Sequence, residues 1–415
     1  MSTPEGHPVC VETPLMNDSD LRRLVDAQPP MRALDRAFYA EPAIYARELE
    51  QLFMRSWLYA GHVSEIPAPG DWFLYELDTE SVIIVRGRDG GINALLNVCR
   101  HRGSRICVKP RGSSKRLTCL YHGWTYDLEG RLRAAAHMGD DFDKDGIALK
   151  RVACQVVAGM IFINFAEEPS DLAAATRELN DCLAPYRLDQ AKVAHRQAWS
   201  MAANWKLAVE NYCECYHCAP AHPEYSRGHA LADPEERYGP LYEQVMARAP
   251  QCGLRNPQIE LKFADAPGFG ADVVYTHYPM WKGHVTGSED GRPVAPLLGD
   301  ISDYYGGCAD LQIGPVTFGL AYCDYVVIYA FRPVSHQRSV CDITWLVRGD
   351  AVEGQDYDLA QLTWLWDVTT EADKRIIERN AEGVNSRFYE PGPLSKMEKY
   401  GWDFLSWYLA TVRPA

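Results

Sequence analysis

Cys99-Arg100-His101-Arg102-Gly103, followed further along by Cys119-Leu120-Tyr121-His122-Gly123-Trp124, sets the architecture of the first half of this chain. The pattern is C-x-H, seventeen residues, then C-x-x-H. Each pair follows a β-type run, which places both pairs at loop tips. A glycine after each pair lets the backbone turn tightly beside a bound group. Two thiolates and two imidazoles suit a tetrahedral zinc ion. They also suit a [2Fe–2S] centre in which thiolates hold one iron and imidazoles the other. Zinc fingers usually pair Cys with Cys and His with His. Here each arm carries one of each, an arrangement that lets two similar loops clamp a two-iron centre.

Outward from these loops, the sequence alternates like a small β domain over residues 55–170. Trp72–Glu76 and Ser81–Val85 are short β-type runs, and the turn Arg88-Asp89-Gly90-Gly91 leads into Ile92–Val98. Asp127-Leu128-Glu129-Gly130 marks a hairpin after Trp124-Thr125-Tyr126, and Val152–Phe165 is again strand-like. Before it, residues 1–54 become helix-like over Pro42–Phe53. After it, residues 171–415 form a mixed half. Tyr325–Phe331 and Cys341–Arg348 read as strands, the latter alternating Cys341, Ile343, Trp345 and Val347 with Asp342, Thr344 and Arg348. A long helical pattern over 357–381 ends at Gly383, a suitable residue just past a helix end. The fold class is α+β.

Composition narrows the function. With 415 residues, 47% hydrophobic and 24% charged, the chain is neither disordered nor fibrous. Its net charge of −14 makes it a poor partner for nucleic acid or an anionic membrane. The longest nearly apolar run, Val156–Ala166, is too short to span a bilayer. The first twenty residues lack a basic and an apolar region, so no signal peptide is expected and the location expected is cytoplasmic. Thirteen cysteines, an odd number in a chain of this size, fit thiols and metal ligands better than a disulfide framework.

A second constellation lies in Asn204–His222. Trp205–Cys218 has helical spacing, putting Glu210, Glu214 and His217 on one face, and Pro220 breaks it, turning His222 back toward His217. In the C-terminal helical pattern Leu362, Trp366, Asp373 and Ile377 share a stripe. Asp373 is thus a carboxylate on an apolar face, costly to bury unless paired or metal-bound. Two His and one carboxylate on one face of Fe(II) leave positions for O2 and for substrate.

On these motifs, Cys99/His101, Cys119/His122, Glu214-x-x-His217-x-x-x-x-His222 and Asp373, the chain resembles the α subunit of the Rieske non-haem iron oxygenases over nearly its whole length. The resemblance implies an N-terminal all-β Rieske [2Fe–2S] domain and a C-terminal helix-grip domain, an antiparallel sheet with a long C-terminal helix. It implies that Cys99, His101, Cys119 and His122 bind the cluster and that His217, His222 and Asp373 bind mononuclear Fe(II). Glu214, which in the family bridges to a cluster His of the neighbouring subunit, and Asn211 are the candidate catalytic residues. A homotrimer with electron transfer between subunits follows. Glu rather than Asp at position 214 looks like the quaternary-ammonium branch, which includes carnitine, glycine betaine and proline betaine monooxygenases. Asp350–Gly354, Asp356–Asp358, Asn385-Ser386 and Pro391-Gly392-Pro393 look like that branch as well.

No G-x-G-x-x-G follows a strand here, so electrons are expected from a separate flavin/iron–sulfur reductase using NAD(P)H. Residues 275–331 hold 10 aromatics, including Tyr275, Tyr278, Trp281, Tyr304, Tyr305, Tyr322, Tyr325 and Tyr329. An aromatic pocket suits a methylated ammonium group and equally a flat ring. The expected reaction is oxidative N-demethylation of a betaine-like compound, with hydroxylation of an aromatic ring as the alternative.

Overall fold

The structure, a computed structural model, describes residues 16–139, 141–230, 235–255, 259–261 and 273–415. Residues 1–15, which carry the signal-peptide reading, lie outside the described residues. No helix among the described residues is long and apolar enough to cross a membrane.

Seven antiparallel strands build the first sheet. In spatial order they are Leu58–His62, Met160–Asn164, Arg151–Val157, Ile92–Leu96, Glu80–Arg86, Asp71–Leu77 and Arg111–Ser113. A smaller sheet of Leu117–Thr118, Thr125–Tyr126 and Leu132–Ala134 stands beside it. Both Cys/His loops grow out of strand ends. The first follows Ile92–Leu96, and the second is the connection between Leu117–Thr118 and Thr125–Tyr126. Ile83, Val85, Leu95, Trp124 and Tyr126 pack with Cys99 and Cys119 in one core beneath the loop tips.

The second sheet is also seven-stranded and antiparallel, in the order Lys192–Met201, Arg338–Val347, Val326–Ser335, Thr317–Ala321, Gly307–Ile313, Val273–Pro279 and Ile259–Leu261. On Arg338–Val347, Cys341, Ile343, Trp345 and Val347 join the core that also takes Leu362, Leu365, Trp366 and Ile377 of the long helix Leu359–Val384. Asp342 points the other way and meets Arg332 at 2.8 Å. That other face is buried too. Val326, Ile328 and Leu346 share a second core with Val157, Met160 and Phe162 of the first sheet. The two sheets therefore share one apolar contact, which gives the cluster-bearing half a fixed seat on the half that carries the long helix.

The N-terminal segment is tied to this second half by a buried charge cluster. Glu48, on the helix Pro42–Gln51, accepts from Lys206 Nζ at 2.5 Å, Tyr408 Oη at 2.6 Å and Trp205 Nε1 at 2.8 Å.

Two helix readings need correction. The helix beginning at Trp205 stops at Tyr212, not at Cys218, because Cys213 already closes it and the chain turns. Glu214 and His217 are therefore not on the helical face of Glu210, which instead accepts the Tyr39 hydroxyl at 2.9 Å. Pro220 breaks nothing. It sits inside the single turn Cys218–Ala221, and His222, at φ −126°, links that turn to the next, Pro223–Ser226. The long helix also runs through Gly383 to Val384, and Asn385 caps it.

Candidate metal centres

The two Cys/His loops repeat one backbone geometry. The Gly103 amide donates to the Cys99 carbonyl at 2.9 Å, and the Gly123 amide donates to the Cys119 carbonyl at 3.0 Å. Both glycines are left-handed, at φ 78° and 72°, which a side chain would resist. The loops thereby present two buried thiols and two exposed imidazoles. His101 Nδ1 and His122 Nδ1 face each other at 3.1 Å, with the rings at 78°. Burial and the neighbouring His101 and Arg102 hold the His122 pKa below its ordinary value, which keeps a lone pair available. Trp124 stacks on His101 at 4.9 Å, and the Tyr126 hydroxyl lies 3.3 Å from Cys99 Sγ. Neither of these two supports is marked by the Cys/His spacing. The four donors do not crowd together as a single tetrahedral ion requires, with ligands on the order of 3–4 Å apart. Among the described residues only His217, His222 and Asp373 converge that closely. The set fits a two-iron cluster.

That second trio assembles across 151 residues of sequence. His222 Nε2 is 2.7 Å from Asp373 Oδ1, and His217 Nε2 is 3.3 Å from the same oxygen. All three ligand atoms lie within 4.8 Å of one another. Asp373 comes from the inward stripe of the long helix, as its spacing predicts. His222 is buried, and His217 and Asp373 are half-buried. Burial opposes charge on His217, but the Asp373 and Glu214 carboxylates outweigh it and hold the ring up to about 10. Burial opposes charge on Asp373 as well, and the two imidazoles prevail and lower its pKa. The pocket thus favours a positive centre between two imidazoles and a carboxylate, the donor set of a mononuclear iron.

Glu214 stands behind His217 rather than in the trio. Its Oε1 is 2.5 Å from His217 Nδ1, and its Oε2 accepts the backbone amides of Tyr216 and, at 3.2 Å, His217. A carboxylate on the far nitrogen fixes the tautomer that leaves Nε2 as a donor. Asn211 Nδ2 lies 3.4 Å from that Nε2.

The aromatic-rich stretch divides in two. Tyr275 and Tyr305 belong to the second core, away from the trio. Tyr322, Tyr325 and Tyr329 face the long helix. Other rings complete the inner cluster: Tyr212 stacks on Phe318 at 4.5 Å and lies 5.4 Å from Tyr329 and 5.9 Å from Phe331. Tyr212, adjoining Asn211, carries no signal in the sequence beyond being aromatic.

Comparison with known proteins agrees with this geometry. Residues 56–152 match the Rieske [2Fe-2S] domain, and residues 188–413 match the ring hydroxylating alpha subunit catalytic domain. The glycine betaine monooxygenase oxygenase subunit of Chromohalobacter salexigens is 37% identical, covering 92% of this chain and 86% of that protein. The protein of the same name in Pseudomonas aeruginosa strain UCBPP-PA14 is 36% identical, covering 91% and 88%. A solved quaternary ammonium Rieske monooxygenase superposes with a TM-score of 0.70 at 22% identity, covering 93% of this chain and 97% of that one, and supports the fold. The chain belongs to the ring-hydroxylating α-subunit family and is a Rieske non-haem iron oxygenase, an oxidoreductase with a [2Fe–2S] cluster and a mononuclear iron.

Proposed function

We propose that this chain is the oxygenase subunit of a monooxygenase that removes an N-methyl group from a quaternary ammonium, betaine-like compound. The observation that carries the reading is the convergence of His217, His222 and Asp373 beside an aromatic cluster. The named glycine betaine relatives at 36–37% identity support the substrate class.

Cys99 and Cys119 would hold one cluster iron, His101 and His122 the other, and His217, His222 and Asp373 the mononuclear iron. When bound, these groups supply single electrons and activate dioxygen for insertion into a C–H bond. The polypeptide does the rest. Glu214 holds the Nδ1 proton of His217 and keeps the ring in one orientation. Asn211 sits where its amide limits what approaches that ring. The rings of Tyr212, Phe318, Tyr329 and Phe331 offer faces to a methylated cation, at roughly 0.5–2 kcal/mol per contact. The balance is simple. An N-methyl group, O2, two electrons and two protons give an N-hydroxymethyl group and water. The N-hydroxymethyl group then releases formaldehyde, a proton and the demethylated amine.

Leu120 and Tyr121, 77% and 56% exposed beside His122, put the cluster edge at the surface. That placement supports electron entry from a separate NAD(P)H-dependent reductase. It also supports a homotrimer in which Glu214 of one chain approaches His122 of the partner subunit. The test is turnover with a reductase against a panel of betaines and aromatic acids. Formaldehyde in step with O2 consumption is the expected result. Ring-hydroxylated product without formaldehyde would overturn the reading.

A further inference from the structure

The inner face of the second sheet carries one carboxylate with no counter-charge. On Gly307–Ile313, Asp310 lies opposite Thr276 on one neighbouring strand and Leu320 on the other. Residues directly opposite, and residues two apart on a strand, share a face. Asp310 therefore sits on the face of Cys308, Phe318 and Leu320, within the core that the long helix covers. Ala309, Leu311 and Ile313 point the other way, into the second core.

Among the described residues no Lys, Arg or His lies within ion-pair distance of Asp310, and no side chain donates to its carboxylate. The other acids facing protein interior are all held. Glu48 has three donors, Asp342 has Arg332, and Asp324 accepts Thr286 and the Val294 amide. Burial pushes the Asp310 pKa up to about 7, opposed only by the Leu311 amide. Its charge is felt at Tyr212, Cys213, Tyr278 and Cys308, raising the pKa of each. Tyr212 and Cys213 lead directly into the Glu214–His217 turn. Asp310 thus lies beneath the segment that supplies the iron-site histidines, on the sheet face that carries the aromatic cluster.

An isolated interior carboxylate is costly to the fold, and here it adjoins aromatic rings that attract cations. A bound cation would supply the missing partner. Its outer atoms need not donate hydrogen bonds, because aromatic faces surround it. We propose that Asp310 is a specificity residue, the counter-charge that makes this site select a methylated ammonium over an uncharged molecule of the same shape. The proposal rests on the reading that substrate occupies the space beside His217, His222 and Asp373. It adds which side chain reads the positive charge.

Choline and 3,3-dimethylbutan-1-ol test this directly, because they share a shape and differ by the charge at one atom. Both are titrated calorimetrically into the metal-loaded protein and into Asp310→Asn. The native protein is expected to bind choline at least tenfold more tightly than the alcohol. Asp310→Asn should lose most of that preference by weakening choline alone, with cluster absorbance and iron content unchanged. Asp310→Glu should restore part of it. Equal affinity of the native protein for the two ligands would overturn the proposal even if no variant folds. So would a preference that survives in Asp310→Asn, or an equal loss of affinity for both ligands. If betaine yields formaldehyde while these charge tests fail, the demethylase reading stands and the role of Asp310 falls. If no ammonium compound binds or turns over, both fall.

Discussion

Glu214 Oε1 stands 2.5 Å from Nδ1 of His217, so the acid that precedes the first iron-site histidine positions that histidine within its own chain. The sequence pattern assigns Glu214 to a contact with a neighbouring subunit. The single chain gives it a first task, and one of its oxygens can serve both.

Glu214→Gln therefore has two expected consequences. Losing a supporting carboxylate weakens metal binding by about 10–100-fold. At saturating iron, turnover still falls, because His217 is no longer held in one tautomer. Iron analysis across an Fe(II) titration checks the first, and O2 consumption against product checks the second. Native iron affinity together with native coupling would remove Glu214 from the mechanism.

Lys206 and Glu48 are both fully inaccessible, and the ammonium also lies 5.0–5.6 Å from the rings of Tyr408, Trp205 and Tyr39. Lys206→Met leaves the Glu48 charge buried with two neutral donors. The expected cost is about 3–5 kcal/mol, read as a lower midpoint in urea unfolding. Adding Glu48→Gln should recover much of it, since no charge then remains unpaired. A single variant as stable as the native protein would contradict this account.

Glu210 predicts a pH effect. Burial raises its pKa to about 7, against the lowering contributions of the Tyr39 hydroxyl and Lys206. The folded state then holds a proton that the unfolded chain releases near 4.5. Stability from this group is fully present below that value and is lost as pH rises through about 7. Glu210→Gln keeps an acceptor for Tyr39 and removes the penalty. It should melt above the native protein at pH 8, by on the order of 1 kcal/mol, and the gap should close by pH 5. An equal difference at both pH values would rule the explanation out.

The cluster loops are legible in the sequence because their structure is local. Cys, His and a left-handed Gly recur at fixed offsets, and each loop closes its own hydrogen bonds. The long helix is legible for the same reason, through the spacing of Leu362, Trp366 and Ile377. The segment after Tyr212 is not. No Gly or Pro stands between Trp205 and Ala219 to end the helix, and what ends it is tertiary: the Glu214 carboxylate gathers the Tyr216 and His217 amides into a turn. Asp310 is hidden differently. Its strand is buried on both faces, so Gly307–Ile313 shows no clean alternation of apolar and polar residues.

The central claim is that one chain holds two distinct iron centres through separate residues. It is tested by iron and acid-labile sulfide analysis after anaerobic reconstitution, with visible spectra, of the native protein and of Asp373→Ala. The account predicts about three irons and two sulfides per native chain, and in the variant about two irons with the cluster spectrum intact. A variant that keeps its third iron, or a native protein that stays colourless, would contradict it.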